Sequence, residues 1–183
     1  MKKKNIVRIA ILTGLILLIP LLAMQFDSGV NWSPFDFVVA GALLFGSGLA
    51  YVLVAGKGGN SAYRAAVGVA VGAALLLVWI NLAVGIIGSE DNPVNLLYFW
   101  ALFAGVIGAA AARLRPRGMS RAMFATAFFV ACVSVVAKIV GSPGLGSLRE
   151  TPGVLGVLTL NAFFVMLFVV AGLLFRHSAP PRP

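Results

Sequence analysis

The sequence predicts an all-α integral membrane protein with six transmembrane helices. Three observations carry that prediction. Of the 183 residues 61% are apolar and only 10% charged, with a mean hydropathy of +1.03, whereas a soluble domain carries about a quarter charged residues. The apolar residues fall into continuous runs long enough to cross a bilayer. The basic residues keep to alternate connections between those runs.

A bilayer core asks for about 20 mostly apolar residues per helix, and six stretches meet that length: 9–26, 35–56, 65–88, 94–112, 122–141 and 153–175. The first follows Lys2, Lys3, Lys4 and Arg8. It could also be a signal peptide, but Pro20-Leu21-Leu22-Ala23-Met24-Gln25 lacks a small-x-small cleavage pair, so a retained helix is expected. Ser33-Pro34 opens the second stretch, Lys57 and Arg64 precede the third, and Asn92-Pro93 opens the fourth. Arg113, Arg115, Arg117 and Arg121 precede the fifth, and Thr151-Pro152 opens the sixth. A short tail, 177–183, follows. The runs are continuous rather than alternating, unlike the strands of a membrane β-barrel. Their short connections make neighbours antiparallel, so the expected architecture is a single membrane domain, 1–183, built as three antiparallel hairpins.

Charge sets the orientation. Twelve of the 14 Lys and Arg residues fall on one side: the amino terminus, the 2–3 and 4–5 connections, and the tail. All five acids, Asp27, Asp36, Glu90, Asp91 and Glu150, fall on the other with Lys138 and Arg149. The positive-inside rule puts both termini in the cytoplasm. The same map accounts for the net charge of +9. Flanking cations meet anionic lipid headgroups on the cytoplasmic face, and no nucleic-acid partner is expected.

Pro34, Pro93 and Pro152 stand 59 residues apart, each after a Ser, Asn or Thr. A capping oxygen accepts a free helix N–H, and proline at the first position has none to orphan. The odd helices open with Arg8-Ile9-Ala10, Arg64-Ala65-Ala66 and Arg121-Ala122-Met123. Three repeated hairpins would give this spacing, as in some transporters. So would any six spans joined by short loops, and the simpler account is preferred.

Few polar residues stand inside the runs. Asp36 and Asn95 both occupy the third position after a cap, where a side chain can bond back toward the cap. Lys138 lies about one turn from the end of the fifth run. It either snorkels to the interface or pairs with Glu90 or Asp91 over an outward-facing cavity. Asn161 lies about 13 Å beyond Pro152 along a helix, the deepest strongly polar side chain. Asn81, Ser134, Lys138 and Asn161 could line one polar pocket, although interhelical hydrogen bonding is the commoner use of such residues. Glu90, Asp91 and Asn92 offer oxygens to a cation but too few for a calcium site. His177 has no second histidine to join it, and Cys132, the one cysteine, is expected to be inert packing. The sequence therefore predicts no enzyme, no metal and no cofactor. The candidate ligand-binding residues are Asn81, Lys138, Asn161, Glu90 and Asp91.

Small residues recur at four-residue spacing as Ala42, Gly46 and Ala50, as Gly68 and Gly72, and as Ala104, Gly108 and Ala112. Such rows let backbones approach closely, which predicts a tight core of helices 2, 3 and 4. They serve equally for a homo-oligomer or a partner in a membrane complex. Trp32, Trp79, Trp100 and Tyr98 toward the outer half, with Tyr51 and Tyr63 at the inner face, fit interfacial belts.

The stretches Asn31-Trp32-Ser33-Pro34-Phe35-Asp36-Phe37 and Trp79-Ile80-Asn81-Leu82-Ala83-Val84-Gly85-Ile86-Ile87-Gly88-Ser89-Glu90-Asp91-Asn92-Pro93 resemble segments of small multi-span bacterial inner-membrane proteins to which no activity is assigned. The resemblance implies a location, the bacterial cytoplasmic membrane, and no mechanism. Two function classes stand: a structural, accessory or interaction protein of the membrane, and a small transporter or channel with an outward-facing polar pocket.

Overall fold

Apolar residues with good helix propensity and no long polar break give helices almost throughout. The computed structural model describes residues 3–26, 29–140 and 153–180. Among these, the regular structure consists of α1 (Lys3–Ala23), α2 (Pro34–Ala55), α3 (Ser61–Ala83), α4 (Leu96–Ala111), α5 (Pro116–Ile139) and α6 (Val154–His177), with a 3-10 turn at Pro93–Asn95 leading into α4. All six, α4 taken with its turn, are long and apolar enough to cross a membrane, which fits a multi-pass membrane protein. The chain divides into two compact units, Met1–Gly56 and Lys57–Pro183.

In the first unit α1 packs on α2 through small residues. Ile9 lies over Gly48, where a Cβ would come within 2.8 Å of its Cγ2, and Leu17 lies over Gly41. The two contacts ascend one helix while descending the other, so the pair is antiparallel. The row Ala42, Gly46, Ala50 is not the contacting one, since Ala42 and Gly46 are exposed. At the start of α2 the expected cap is present in full. Asp36 Oδ2 accepts from the Ser33 N–H at 2.7 Å and from the Ser33 hydroxyl at 2.8 Å. The Ser33 Oγ accepts the Asp36 N–H at 3.3 Å.

The second unit is organised around α5. Its buried side chains, among them Met119, Met123, Thr126, Val130, Val133 and Ala137, recur every three or four residues and form one stripe along the helix. α5 packs on both α4 and α6, and α6 packs on α3, whereas α3 and α4 touch little. The expected core of helices 2, 3 and 4 is therefore not what holds this unit together. The glycines of α4 face α5: a Cβ at Gly105 would run into Thr126 Oγ1, and one at Gly108 would lie 3.0 Å from the Ala122 Cβ. A Cβ at Gly72 in α3 would meet nothing within 4 Å.

The basic end of this unit is tied by three hydrogen bonds between distant segments. The Tyr63 hydroxyl donates to the Leu114 carbonyl at 2.7 Å. The Asn60 Nδ2 donates to the Ser178 carbonyl at 3.0 Å. The Arg117 guanidinium donates to the Pro180 carbonyl at 2.7 Å. Leu114 and its neighbour Arg113 are left-handed, at φ 57 and 49, which costs a non-glycine residue of order 1 kcal/mol or more. Tyr63 is buried, only 1% exposed, so its phenol reads as a strut and not as part of an aromatic belt.

Several helix limits differ from the sequence expectation. α5 starts at Pro116, not residue 122, because Arg115 is extended and proline takes the first helical position. Arg117 and Arg121 thus stand on the helix, where arginine propagates well. α3 stops at Ala83, five residues short of the expected limit. α6 runs on to His177, which leaves a shorter tail. The repeat also loses its register. Thr151-Pro152 lies outside the described residues and α6 opens after it with Gly153 as its cap, while Arg121 is no longer at a helix start.

Candidate functional site

The connection 84–92 between α3 and α4 would be a loose turn if its backbone were unpaired. Instead one side chain organises it. Asn95, 3% exposed, accepts from the N–H of Ile86 at 3.3 Å and of Ile87 at 3.0 Å through Oδ1. Its Nδ2 donates to the carbonyls of Ile87 at 3.2 Å and Ser89 at 2.7 Å. Asn92 performs the cap, accepting the Val94 N–H at 3.0 Å. The expected role of Asn95, bonding back to its cap, is therefore corrected: it clasps the loop before the cap.

Gly85 makes the clasp possible. At φ +70 it turns the chain out of α3, with its N–H on the Ile80 carbonyl at 3.0 Å. A Cβ there would run into the Ser89 carbonyl and lie 2.8 Å from Asn95 Nδ2. Ile86 and Ile87, both 0% exposed, then fold inward as a plug.

Between the end of α3, this loop and the start of α4 lies a cleft of about 340 Å³. Its walls are Leu82, Pro93, Leu96 and Phe99, and its polar lining comes from Asn81, Glu90, Asp91, Asn92 and Asn95. Asn81 is 3% exposed. Its Nδ2 turns back to the Leu77 carbonyl at 2.7 Å, leaving Oδ1 buried with no hydrogen-bond partner. Glu90 and Asp91 are exposed at the rim.

Three of the five residues singled out from sequence thus come together: Asn81, Glu90 and Asp91. The other two do not join them. Lys138 is exposed in the last turn of α5, outside the cleft lining. Asn161 is buried away from it, donating to the Tyr98 hydroxyl at 3.1 Å and to the Val130 carbonyl at 3.0 Å. It therefore fastens α6 to α4 and α5. Tyr98, read from sequence as a belt residue, is 0% exposed and is the partner that periodicity hid. Ser134 is buried, 8% exposed, and lies outside the cleft lining. Cys132 is a half-buried free thiol. Among the described residues no three His, Cys, Asp or Glu side chains gather as metal ligands would.

Replacing Asn161 with leucine removes both ties while keeping the volume. The Asn161→Leu protein should fold but lose about 1–2 kcal/mol of stability, read as a lower midpoint of thermal unfolding in mild detergent. Unchanged stability would mean that the ties contribute nothing.

No protein-family model, curated protein or solved structure matches this chain.

Proposed function

We propose that this protein is a structural or accessory component of a bacterial cytoplasmic-membrane assembly, not an enzyme, with both termini on the cytoplasmic side. The observation that supports it is the use made of Asn161. The deepest strongly polar side chain ties three helices together, which is how a scaffold uses polarity, instead of lining a passage. The orientation rests on the segregation of the basic residues. On that face the inner ends of the helices meet anionic lipid headgroups.

Purification in native nanodiscs followed by mass spectrometry tests the role. A stoichiometric protein partner is the expected result and would name the process served. A second reading, a small transporter or channel, draws on the cleft beside Asn81, Glu90 and Asp91. A lone chain or homo-oligomer carrying a bound small molecule would favour it over the first.

Cysteine accessibility tests the orientation. In a Cys132→Ser background, Ser89→Cys should react with an impermeant maleimide on intact cells, and Gly59→Cys should react only after lysis. Ser89 is exposed, and a side chain at Gly59 meets nothing within 4 Å. The reverse pattern would overturn the topology.

A further inference from the structure

We propose that the cleft between α3 and α4 binds the primary ammonium group of an amphiphilic amine. An orphaned acceptor is the first reason. A buried amide oxygen without a partner costs about 1–3 kcal/mol, and Asn81 Oδ1 carries that cost in a residue that lines the cleft. Because Nδ2 is committed to the Leu77 carbonyl, the unpaired atom of this cleft-lining amide is the acceptor. It calls for a donor.

The second reason is the charge around it. Glu90 and Asp91 line the same cleft, and among the described residues no Lys, Arg or His does. Asn95 Nδ2 is committed to the Ile87 and Ser89 carbonyls, and the amide of Asn92 is the one neutral donor left beside two carboxylates. A cation with N–H groups is matched in both charge and hydrogen bonding. A bare metal ion is not. Calcium takes six or more oxygens, and two exposed carboxylates and one amide fall short.

The third reason is the apolar wall. Leu82, Leu96 and Phe99 leave room for a hydrocarbon body beside the polar group, and the volume, about 340 Å³, lies at the small end of ligand sites. α3 and α4 touch little, so neither helix fills this space. Two sources offer the chemistry: the ethanolamine headgroup of a membrane lipid, and a free alkylamine. The inference does not depend on whether the chain has a protein partner.

The test uses the full chain in mild detergent with three probes: phosphatidylethanolamine, phosphatidylglycerol and hexylammonium chloride. Native mass spectrometry counts retained lipid, and thermal unfolding reports the amine. Wild type should retain phosphatidylethanolamine over phosphatidylglycerol, or be stabilised by hexylammonium; the first result assigns a lipid headgroup and the second a free amine. Glu90→Gln with Asp91→Asn, both at exposed positions, should weaken binding about tenfold or more, the scale of one charge-assisted hydrogen bond.

Asn81→Leu separates the inference from simple loss of fold. Removing an orphaned acceptor should leave the empty protein as stable as wild type or more so, while binding is lost. Equal retention of both lipids without any response to hexylammonium would overturn the inference. So would undiminished binding by either variant, or no binding of any probe, which would leave the Asn81 oxygen to water alone.

Discussion

Asn95→Leu should cost about 2–4 kcal/mol of stability and open the connection 84–92 to protease. Leucine matches the volume of asparagine closely enough to stay in place, but it offers no polar atom. The N–H groups of Ile86 and Ile87 would lose their acceptor while those residues remain buried at 0% exposure. Each stranded donor carries about 1–3 kcal/mol. The loop can escape that cost only by swinging its two isoleucines outward, which exchanges hydrogen-bond strain for apolar exposure. Limited proteolysis of the purified protein, compared with a melt, reads both. Asn92→Ala, which removes only the cap, should cost about 1 kcal/mol and leave the loop resistant. Equal behaviour of the two variants would mean that Asn95 is not the clasp.

Gly58→Ala should be comparably damaging although it lies outside every helix. The Tyr63 ring sits directly over Gly58, and an added Cβ would overlap it. The ring has nowhere to go. Its hydroxyl is fixed on the Leu114 carbonyl, and its edge packs against Phe175 with centroids 5.1 Å apart. Overpacking of this kind costs about 1–3 kcal/mol, and moving the ring also forfeits the hydrogen bond. We expect a midpoint of thermal unfolding several degrees below wild type. Tyr63→Phe, which keeps the ring and removes only the hydroxyl, should lose about 1 kcal/mol. If Gly58→Ala melts as wild type does, the tyrosine is not locked as described.

The six spans were legible because the bilayer imposes a length and a composition that no loop here imitates for long. The exception proves instructive. Val84-Gly85-Ile86-Ile87-Gly88 is as apolar as a helix, so hydropathy carries α3 too far. What ends the helix is a left-handed glycine and an asparagine 8 to 9 residues ahead, a nonlocal contact with no periodic signature. The capping role of Asp36 was readable because its partner, Ser33, is three residues away.

Helix pairing was not readable. Nearly every helix carries small residues, so Gly72 looks as suitable for close packing as Gly105 and Gly108, yet a Cβ at Gly72 meets nothing while the latter two meet a neighbouring helix closely. The stripe of α5, by contrast, was present in the sequence as Met119, Met123, Thr126, Val130, Val133 and Ala137, hidden because its members are moderately sized and not uniformly small. For the site, Asn81, Glu90 and Asp91 were legible as polar residues near one end. Their separation from Lys138 and Asn161 depends on which helices touch.

The ties at the basic end bear on how the protein is made. Asn60 waits for a carbonyl 118 residues later and Arg117 for one 63 residues later. Helices inserted one after another during synthesis can enter the membrane in order, yet neither bond can form until Ser178 and Pro180 have been made. Assembly of this unit is thus completed only after α6 has been threaded, and a nascent chain arrested before that point carries two unpaired donors, the Asn60 amide and the Arg117 guanidinium, for quality-control proteases to find.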